Sequence, residues 1–254
     1  MKSTKNLLLS LVFGLSSLSG AGLLNGQNES PDQPLDLYLL IGQSNMAGRA
    51  PFTKDEAKPL DKCYLLNAED KWEAAKNPLN RHSTIRKGLG MQKLNPGYSF
   101  AQTMLAENKN TPIGLIVNAK GGSKIEEWAE DKKFYKEAVR RAKIAKENGT
   151  LKGILWHQGE SNEKNPEDYL AQLTQLVTNL RKDLDSPDLP FVAGQVNKVP
   201  GINEAIAKLP SEVTHTAFVS SEGLTAMDRW HFDAKSMKLL GERYAEQIIK
   251  LQEK

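Results

Sequence analysis

The chain has 254 residues, of which 39% are hydrophobic and 26% are charged, and its formal net charge is +3. This length allows one α/β domain of about 200–250 residues, or two small domains, and it suffices to bury a core that folds without disulfides. The single cysteine, Cys63, excludes an intrachain disulfide and a multi-cysteine zinc site. Because the charges nearly balance and no basic run of five or more occurs, the sequence carries no electrostatic signature of nucleic-acid binding.

Residues 1–26 are typical of a secretory signal peptide. Two lysines precede an apolar run at 7–15, and small residues follow at 16–22. The apolar run is too short to cross a membrane, because a transmembrane helix needs about 20 apolar residues. We therefore expect export with cleavage near the end of this segment, a flexible lead-in at 27–35, and one domain at 36–254 with no membrane span.

The body of the chain alternates predicted strands and helices. Short apolar runs predict buried strands, and apolar residues at helical spacing predict amphipathic helices. In chain order these are a strand at Leu35–Ile41, a strand at Cys63–Leu66, a helix at Ser99–Glu107, a strand at Ile113–Ala119, a helix at Phe134–Glu147, a strand at Ile154–His157, a helix with Asn165 as N-cap and Pro166 as first residue, a strand at Phe191–Val196, a helix at Ile202–Leu209, a strand at Thr216–Ser220 and a helix from about Asp233. This alternation predicts a parallel sheet with helices on both faces.

Four polar motifs lie at the ends of these elements. GQSNMAGR at 42–49, AKGGSKIEEW at 119–128 and WHQGESN at 156–162 each follow a predicted strand, and DRWHFD at 228–233 precedes the last helix. Sites in parallel sheets form outside the carboxyl ends of the strands. The long irregular segment 67–97 is of a length that is usually functional. The sequence therefore predicts a functional site at one edge of the sheet.

Three residues suit nucleophilic catalysis, and two of them, Ser44 and His231, also have an ordinary structural interpretation. Ser44 follows a strand and can expose its hydroxyl, although such a serine is most often a helix N-cap. His231 lies three residues after Asp228, so that the carboxylate can orient one ring nitrogen while the other faces a nucleophile. A lone histidine is more often a satisfied, partly buried side chain.

Other residues of the motifs suit binding. The Gly-Gly-Ser turn at 121–123 can aim a backbone N–H at an anion, or is an ordinary loop. The Gln158 amide can donate to an oxyanion, and Glu160 is either a second orienting carboxylate or a residue that holds loops together. The Trp128 indole can stack on a sugar ring or pack in the core. Arg49, Gln158 and the tryptophan-flanked loops predict a shallow polar cleft, with Arg49 and Trp128 as substrate contacts.

Together these motifs resemble the blocks of the SGNH/GDSL hydrolase superfamily, in particular its sialate O-acetylesterase-like branch, carbohydrate esterase family 6. The resemblance extends over residues 36–250 and includes PGYSFA at 96–101. It implies a three-layer α/β/α sandwich with a flavodoxin-like parallel sheet. It also implies a secreted serine esterase that removes acetyl groups from sugars or polysaccharides without a metal or other cofactor.

The resemblance also implies roles for individual residues. Ser44 is the expected nucleophile, His231 the general base and then acid, and Asp228 the residue that orients it. The backbone N–H groups of Ser44 and Gly122 and the side chain of Gln158 are the expected oxyanion hole. Gln158 departs from the wider superfamily, which has an asparagine at this position.

Two other classes of protein remain as alternatives. A non-catalytic carbohydrate-binding protein on the same fold is disfavoured, because the nucleophile, base and orienting positions are all filled. A metallohydrolase could use His157, Glu160, Asp228 and His231, but no H-E-x-x-H or comparable ligand spacing is present. The leading hypothesis therefore has an acetylated saccharide as the partner and requires no metal.

Overall fold

A computed structural model describes residues 31–253, so the predicted signal peptide and the beginning of the lead-in lie outside the described residues. Seven strands form one sheet: β1 Leu35–Gly42, β2 Cys63–Leu66, β3 Trp72–Ala74, β4 Ile113–Ala119, β5 Gly149–His157, β6 Phe191–Gly194 and β7 Thr216–Val219. Their order in the sheet is β3-β2-β4-β1-β5-β6-β7. All neighbours pair in parallel except β2 and β3.

In the described part of the chain, six α-helices cover the two faces of the sheet. They are α1 Ser44–Ala47, α2 Gly97–Glu107, α3 Lys133–Ala145, α4 Tyr169–Asp183, α5 Pro200–Glu212 and α6 Ala234–Gln252. One hydrophobic core lies between the sheet and α3, α4 and α5, and the other lies between the sheet and α1, α2 and α6. This arrangement confirms the predicted three-layer α/β/α sandwich. Between residues 31 and 253, no helix is both long and apolar enough to cross a membrane.

The central strand β1 positions the site. Gly42, its last residue, is paired with Ala119 of β4 on one side and with His157 of β5 on the other. Its φ of 136° favours glycine, and a Cβ there would collide with the His157 carbonyl. Because the three strands end at the same level, the residues that follow them meet at one edge of the sheet.

Strand β3 was not predicted from the sequence. It is three residues long and runs antiparallel to β2 at the edge of the sheet, with Tyr64 opposite Ala74. A turn joins the two strands, in which the N–H of Asn67 donates to the Lys71 carbonyl at 2.7 Å. A strand this short shows no clear alternation of apolar and polar residues, which explains why the sequence pattern did not reveal it.

The predicted start of α4 was wrong, whereas the start of α6 was confirmed. Helix α4 begins at Tyr169, because a turn closed by the Tyr169 N–H and the Pro166 carbonyl precedes it. Asn165 is therefore not its N-cap. Asp233 caps α6 as expected, and its carboxylate accepts a hydrogen bond from the Ser236 N–H at 2.8 Å.

Candidate active site

Ser44 lies directly beyond the carboxyl end of β1. It is the first residue of α1, whose N-cap is Gln43, so Ser44 does not have the capping position that the ordinary interpretation required. The side chain is largely buried, with 6% of the residue exposed. Its Oγ lies 3.1 Å from Nε2 of His231, although the two residues are 187 positions apart in the chain.

His231 and Asp228 lie in one hairpin at 225–233, which the Met227 N–H and the His231 carbonyl close at 2.8 Å. Asp228 Oδ2 lies 2.8 Å from Nδ1 of His231. The other carboxylate oxygen, Oδ1, accepts from the N–H groups of Trp230 and His231, each at 2.8 Å. The short D-x-x-H spacing therefore fixes the carboxylate by local turn contacts and directs it at the ring.

The electrostatics of this pair determine which ring nitrogen is available. Burial raises the pKa of the Asp228 carboxyl, but hydrogen bonds from the His231 ring and from the N–H groups of Trp230 and His231 outweigh it and lower the pKa below its usual value. An ionised Asp228 accepts the Nδ1 hydrogen of a neutral imidazole. Nε2 is then left as an acceptor that faces the Ser44 hydroxyl.

The Gly-Gly-Ser turn after β4 lies against Ser44. Gly122 has a φ of 74°, and a Cβ built on Gly121 would be 3.8 Å from the Ser44 Cβ. The backbone N–H groups of Ser44 and Gly122 donate to no acceptor between residues 31 and 253. Two free donors therefore lie on neighbouring segments beside the Ser44 hydroxyl.

The prediction that Gln158 supplies an oxyanion donor was wrong for this structure. The Gln158 side chain is fully buried. Its Nε2 already faces three acceptors: Asn162 Oδ1 at 2.7 Å, the Ser123 carbonyl at 3.0 Å and Gln43 Oε1 at 3.2 Å. Because an amide nitrogen has two hydrogens, none remains for a ligand. Gln158 instead ties together the segments that surround Ser44.

The prediction that Trp128 stacks on a sugar was also wrong. Only 1% of this residue is exposed. Its indole packs edge-on against Trp156, with ring centroids 5.3 Å apart, and at a tilt against Phe134 at 5.6 Å. Its N–H donates to Ser123 Oγ at 3.0 Å. Trp128 therefore supports the Gly-Gly-Ser turn from inside the protein and presents no free face to a ligand.

Two cations flank the same turn. Arg49 is fixed by a hydrogen bond from Nη1 to the Met91 carbonyl at 2.8 Å, and its Nη2 occupies the space that a Cβ on Gly121 would need. Burial lowers the pKa of Arg49. Lys87 Nζ would be 3.4 Å from a Cβ on Gly122. Neither cation lies within 4 Å of a carboxylate in the described part of the chain.

Glu160 does not contact His231. It is 5% exposed, and its Oε1 accepts a hydrogen bond from Asn45 Nδ2 at 2.7 Å. Its Oε2 has no partner within residues 31–253. Burial raises the pKa of this carboxyl to about 7, against a smaller opposing effect of hydrogen bonds from its own N–H and from Asn45. Of its two interpretations, the contacts favour the one in which Glu160 holds loops together.

Sequence reasoning missed the two amides that flank Ser44. Asn45 is fully buried, donates from Nδ2 to the Trp230 carbonyl at 3.0 Å and accepts at Oδ1 from the Phe232 N–H at 3.2 Å. Gln43 Oε1 accepts from two backbone N–H groups of the segment 158–161, each at 3.3 Å. Adjacency to Ser44 was the only signal in the sequence for either residue.

The four residues of the metallohydrolase alternative do not form one cluster. His157 is fully buried, and its Nδ1 lies 3.1 Å from the Tyr244 hydroxyl. Burial lowers the pKa of His157 to about 3. Glu160 is bonded to Asn45, and Asp228 is paired with His231. Among residues 31–253, no group of three or more His, Cys, Asp or Glu side chains could hold a metal ion.

The sheet and its two helical layers have the fold of SGNH/GDSL hydrolases. A Parabacteroides merdae protein described as a "putative GDSL-like lipase" has this fold, with a TM-score of 0.53 at 15% identity over 88% of this chain and 99% of that one. A carbohydrate acetylesterase of Xanthomonas citri shares it, with a TM-score of 0.60 at 19% identity over 85% of this chain and 56% of that one.

Within that class, the chain belongs to the family described as "Carbohydrate esterase, sialic acid-specific acetylesterase", whose model matches residues 34–250. A probable carbohydrate esterase of Arabidopsis thaliana is 29% identical over 91% of this chain and 98% of its own length. A solved structure of an Arabidopsis thaliana protein has a TM-score of 0.78 at 28% identity over 85% of this chain and 98% of that one. The resemblance found in the motifs is thereby confirmed.

Proposed function

We propose that this carbohydrate esterase is a serine-dependent O-acetylesterase that removes acetyl groups from saccharides through an acetyl-enzyme. The observation that carries the proposal is the hydrogen-bonded series Ser44 Oγ, His231 Nε2, His231 Nδ1 and Asp228 Oδ2, with separations of 3.1 Å and 2.8 Å. These are the contacts that a nucleophile, its general base and an orienting carboxylate require.

In the first half of the proposed reaction, His231 Nε2 takes the Ser44 proton as Oγ attacks the acetyl carbonyl carbon. The carbonyl oxygen becomes an oxyanion, which the free N–H groups of Ser44 and Gly122 stabilise. A single donor of this kind typically lowers the barrier by about 2.7–4 kcal/mol. Asp228 stabilises the imidazolium that forms beside it. The sugar oxygen then leaves with the proton from His231.

The second half of the reaction returns the enzyme to its starting state. Water gives a proton to His231 Nε2 and attacks the acetyl-enzyme, and the same donors hold the second oxyanion. Collapse of this intermediate breaks the bond to Ser44 Oγ, which recovers its proton from His231. Acetate is released, and no metal or other cofactor takes part in any step.

We also propose that the cleft beside Ser44 is polar and accepts the short acetyl group in preference to longer chains. Arg49 and Lys87, which flank the Gly-Gly-Ser turn without a carboxylate partner, support a polar contact with the sugar. We propose that Arg49 contacts the substrate. Export, inferred from the signal-like residues 1–26, is likewise part of the proposal, and acetylated saccharides outside the cytoplasm are the proposed substrates.

The direct test compares Ser44→Ala with the wild-type enzyme in release of acetate from acetylated polysaccharides and from p-nitrophenyl acetate. Ser99→Ala is the matched control, because Ser99 is also buried but bonds the Lys238 carbonyl at 2.7 Å between α2 and α6. We expect activity to be lost only in Ser44→Ala, with both variants folded. Turnover by Ser44→Ala near the wild-type rate would refute the mechanism, and saccharide binding without wild-type turnover would favour the carbohydrate-binding alternative.

A further inference from the structure

The hairpin that carries His231 is held at the peptides on both sides of that residue. Asn45 Nδ2 donates to the Trp230 carbonyl at 3.0 Å, and Asn45 Oδ1 accepts from the Phe232 N–H at 3.2 Å. The outer side of the hairpin is bonded at Arg229, whose carbonyl accepts from Asn197 Nδ2 at 2.9 Å and whose Nη2 donates to both carboxylate oxygens of Glu163 at 2.9 Å. Among residues 31–253, only Asn45 bonds both peptides that flank His231.

Glu160 fixes the orientation of the Asn45 amide. The second hydrogen of Asn45 Nδ2 goes to Glu160 Oε1 at 2.7 Å, so both amide hydrogens have acceptors. If the amide rotated by half a turn, its oxygen would face both the Glu160 carboxylate and the Trp230 carbonyl. The buried carboxylate therefore selects the single amide orientation that can hold the hairpin.

We infer that Asn45 and Glu160 are positioning residues that set the distance between the nucleophile and its base in the proposed esterase reaction. Asn45 follows Ser44 in the chain, so one short segment of backbone carries both the nucleophile and the amide that holds His231. Neither side chain is exposed enough to bind a saccharide, since Asn45 is fully buried and Glu160 is 5% exposed. Their effect acts through His231, and the inference rests on the proposed function.

The expected consequence of loosening this contact is a slower chemical step with unchanged substrate binding. A misplacement of about 1 Å at a reacting group costs about a hundredfold in rate. We therefore expect Asn45→Asp to lower kcat about a hundredfold and to leave KM within about twofold. The variant is nearly isosteric, and it places an oxygen against both Glu160 Oε1 and the Trp230 carbonyl.

The sharpest test adds a second substitution to Asn45→Asp. Glu160→Gln alone keeps an acceptor for Asn45 and should cost at most about tenfold in kcat. In the double variant Asn45→Asp with Glu160→Gln, the new amide can donate to the new carboxylate, but the carboxylate has no hydrogen for the Trp230 carbonyl. We therefore expect the double variant to regain thermal stability relative to Asn45→Asp while its kcat stays within about threefold of that variant. Recovery of kcat by about tenfold or more would show that the contact with Trp230 does not hold the hairpin, and it would overturn the inference.

The rate at which a fluorophosphonate labels Ser44, located by mass spectrometry, provides a second readout. Asn203→Asp is the control, because the Asn203 amide also bridges an N–H and a carbonyl, those of Val196, but has no contact with the hairpin. We expect slow labelling in Asn45→Asp and normal labelling in the control. Equal labelling rates would overturn the inference, whereas absence of labelling in the wild-type enzyme would refute the proposed function itself.

Thermal unfolding of each variant shows whether it is folded. If Asn45→Asp does not fold, Glu160→Ala decides the question, because it removes the acceptor of Asn45 without placing a new charge in the core. We expect Glu160→Ala to lower kcat by more than tenfold at a KM close to that of the wild type. A wild-type kcat in this variant would refute the inference.

Discussion

Replacing Glu160 by glutamine should change how the stability of the protein depends on pH. The carboxyl is almost completely buried, and within residues 31–253 its one side-chain hydrogen bond comes from Asn45. Burial raises its pKa from 4.5 to about 7. Because this pKa is higher in the folded state than in the unfolded state, the protonated carboxyl favours folding, and ionisation of the buried group opposes it.

The size and direction of the effect follow from the pKa in the two states. The contribution of protonated Glu160 to the free energy of unfolding is fully present below about pH 4.5 and is lost as the pH rises to about 7. A rise of this size corresponds to about 3 kcal/mol of unfolding free energy, since each pKa unit is worth about 1.4 kcal/mol. The glutamine side chain of Glu160→Gln cannot ionise. The free energy of unfolding of this variant, relative to that of the wild type, should therefore rise by about this amount between about pH 4 and about pH 8.

Urea unfolding of both proteins across this pH range measures the effect. Glu204→Gln is the control, because Glu204 is exposed and its pKa is lowered by Lys208. The free energy of unfolding of the control, relative to that of the wild type, should not rise with pH. If the free energies of unfolding of Glu160→Gln and the wild type differ by a constant amount from about pH 4 to about pH 8, Glu160 does not titrate in this window. The reasoning from burial would then fail.

Two further predictions concern the proposed reaction. Asp228→Asn should lower turnover about 10⁴-fold, as the same change does in a serine protease. Glu160→Gln should lower turnover far less, and the reverse ranking would assign the orienting role to Glu160. Cleavage of p-nitrophenyl acetate should exceed cleavage of the octanoate, and the opposite preference would contradict a shallow polar cleft.

Most of the architecture could be predicted because its signals are local. The six predicted strands are present, and Cys63–Leu66 and Ile113–Ala119 have the predicted bounds. Their runs of apolar residues reflect burial on both faces of a central sheet. The start of α4 could not be predicted in this way, because Asn165-Pro166 is a strong helix signal that a turn closed at Tyr169 displaces. Strand β3 is defined mainly by its pairing with β2.

In the candidate site, too, the sequence predicts local contacts but not burial by distant parts of the chain. Asp228 and His231 are three residues apart, so a local turn is enough to bring the carboxylate to the ring. Gln158 and Trp128 have side chains that suit a ligand, but the sequence does not show that both are buried behind the Gly-Gly-Ser turn. Residue type predicts what a side chain can do, and burial decides whether a ligand can contact it.

The contacts that join the nucleophile to its base are the least visible in the sequence. Asn45 is 115 residues from Glu160 and 185 residues from Trp230, so no spacing rule connects them. Yet the geometry at Ser44 depends on them, since His231 lies on a hairpin whose outer side is exposed and whose inner side is bonded by Asn45. An exposed hairpin can hold a base within hydrogen-bond distance of a serine only if the core fixes it. The buried Asn45–Glu160 contact supplies that support, which explains why a motif that encodes the nucleophile also encodes the residue that holds the base.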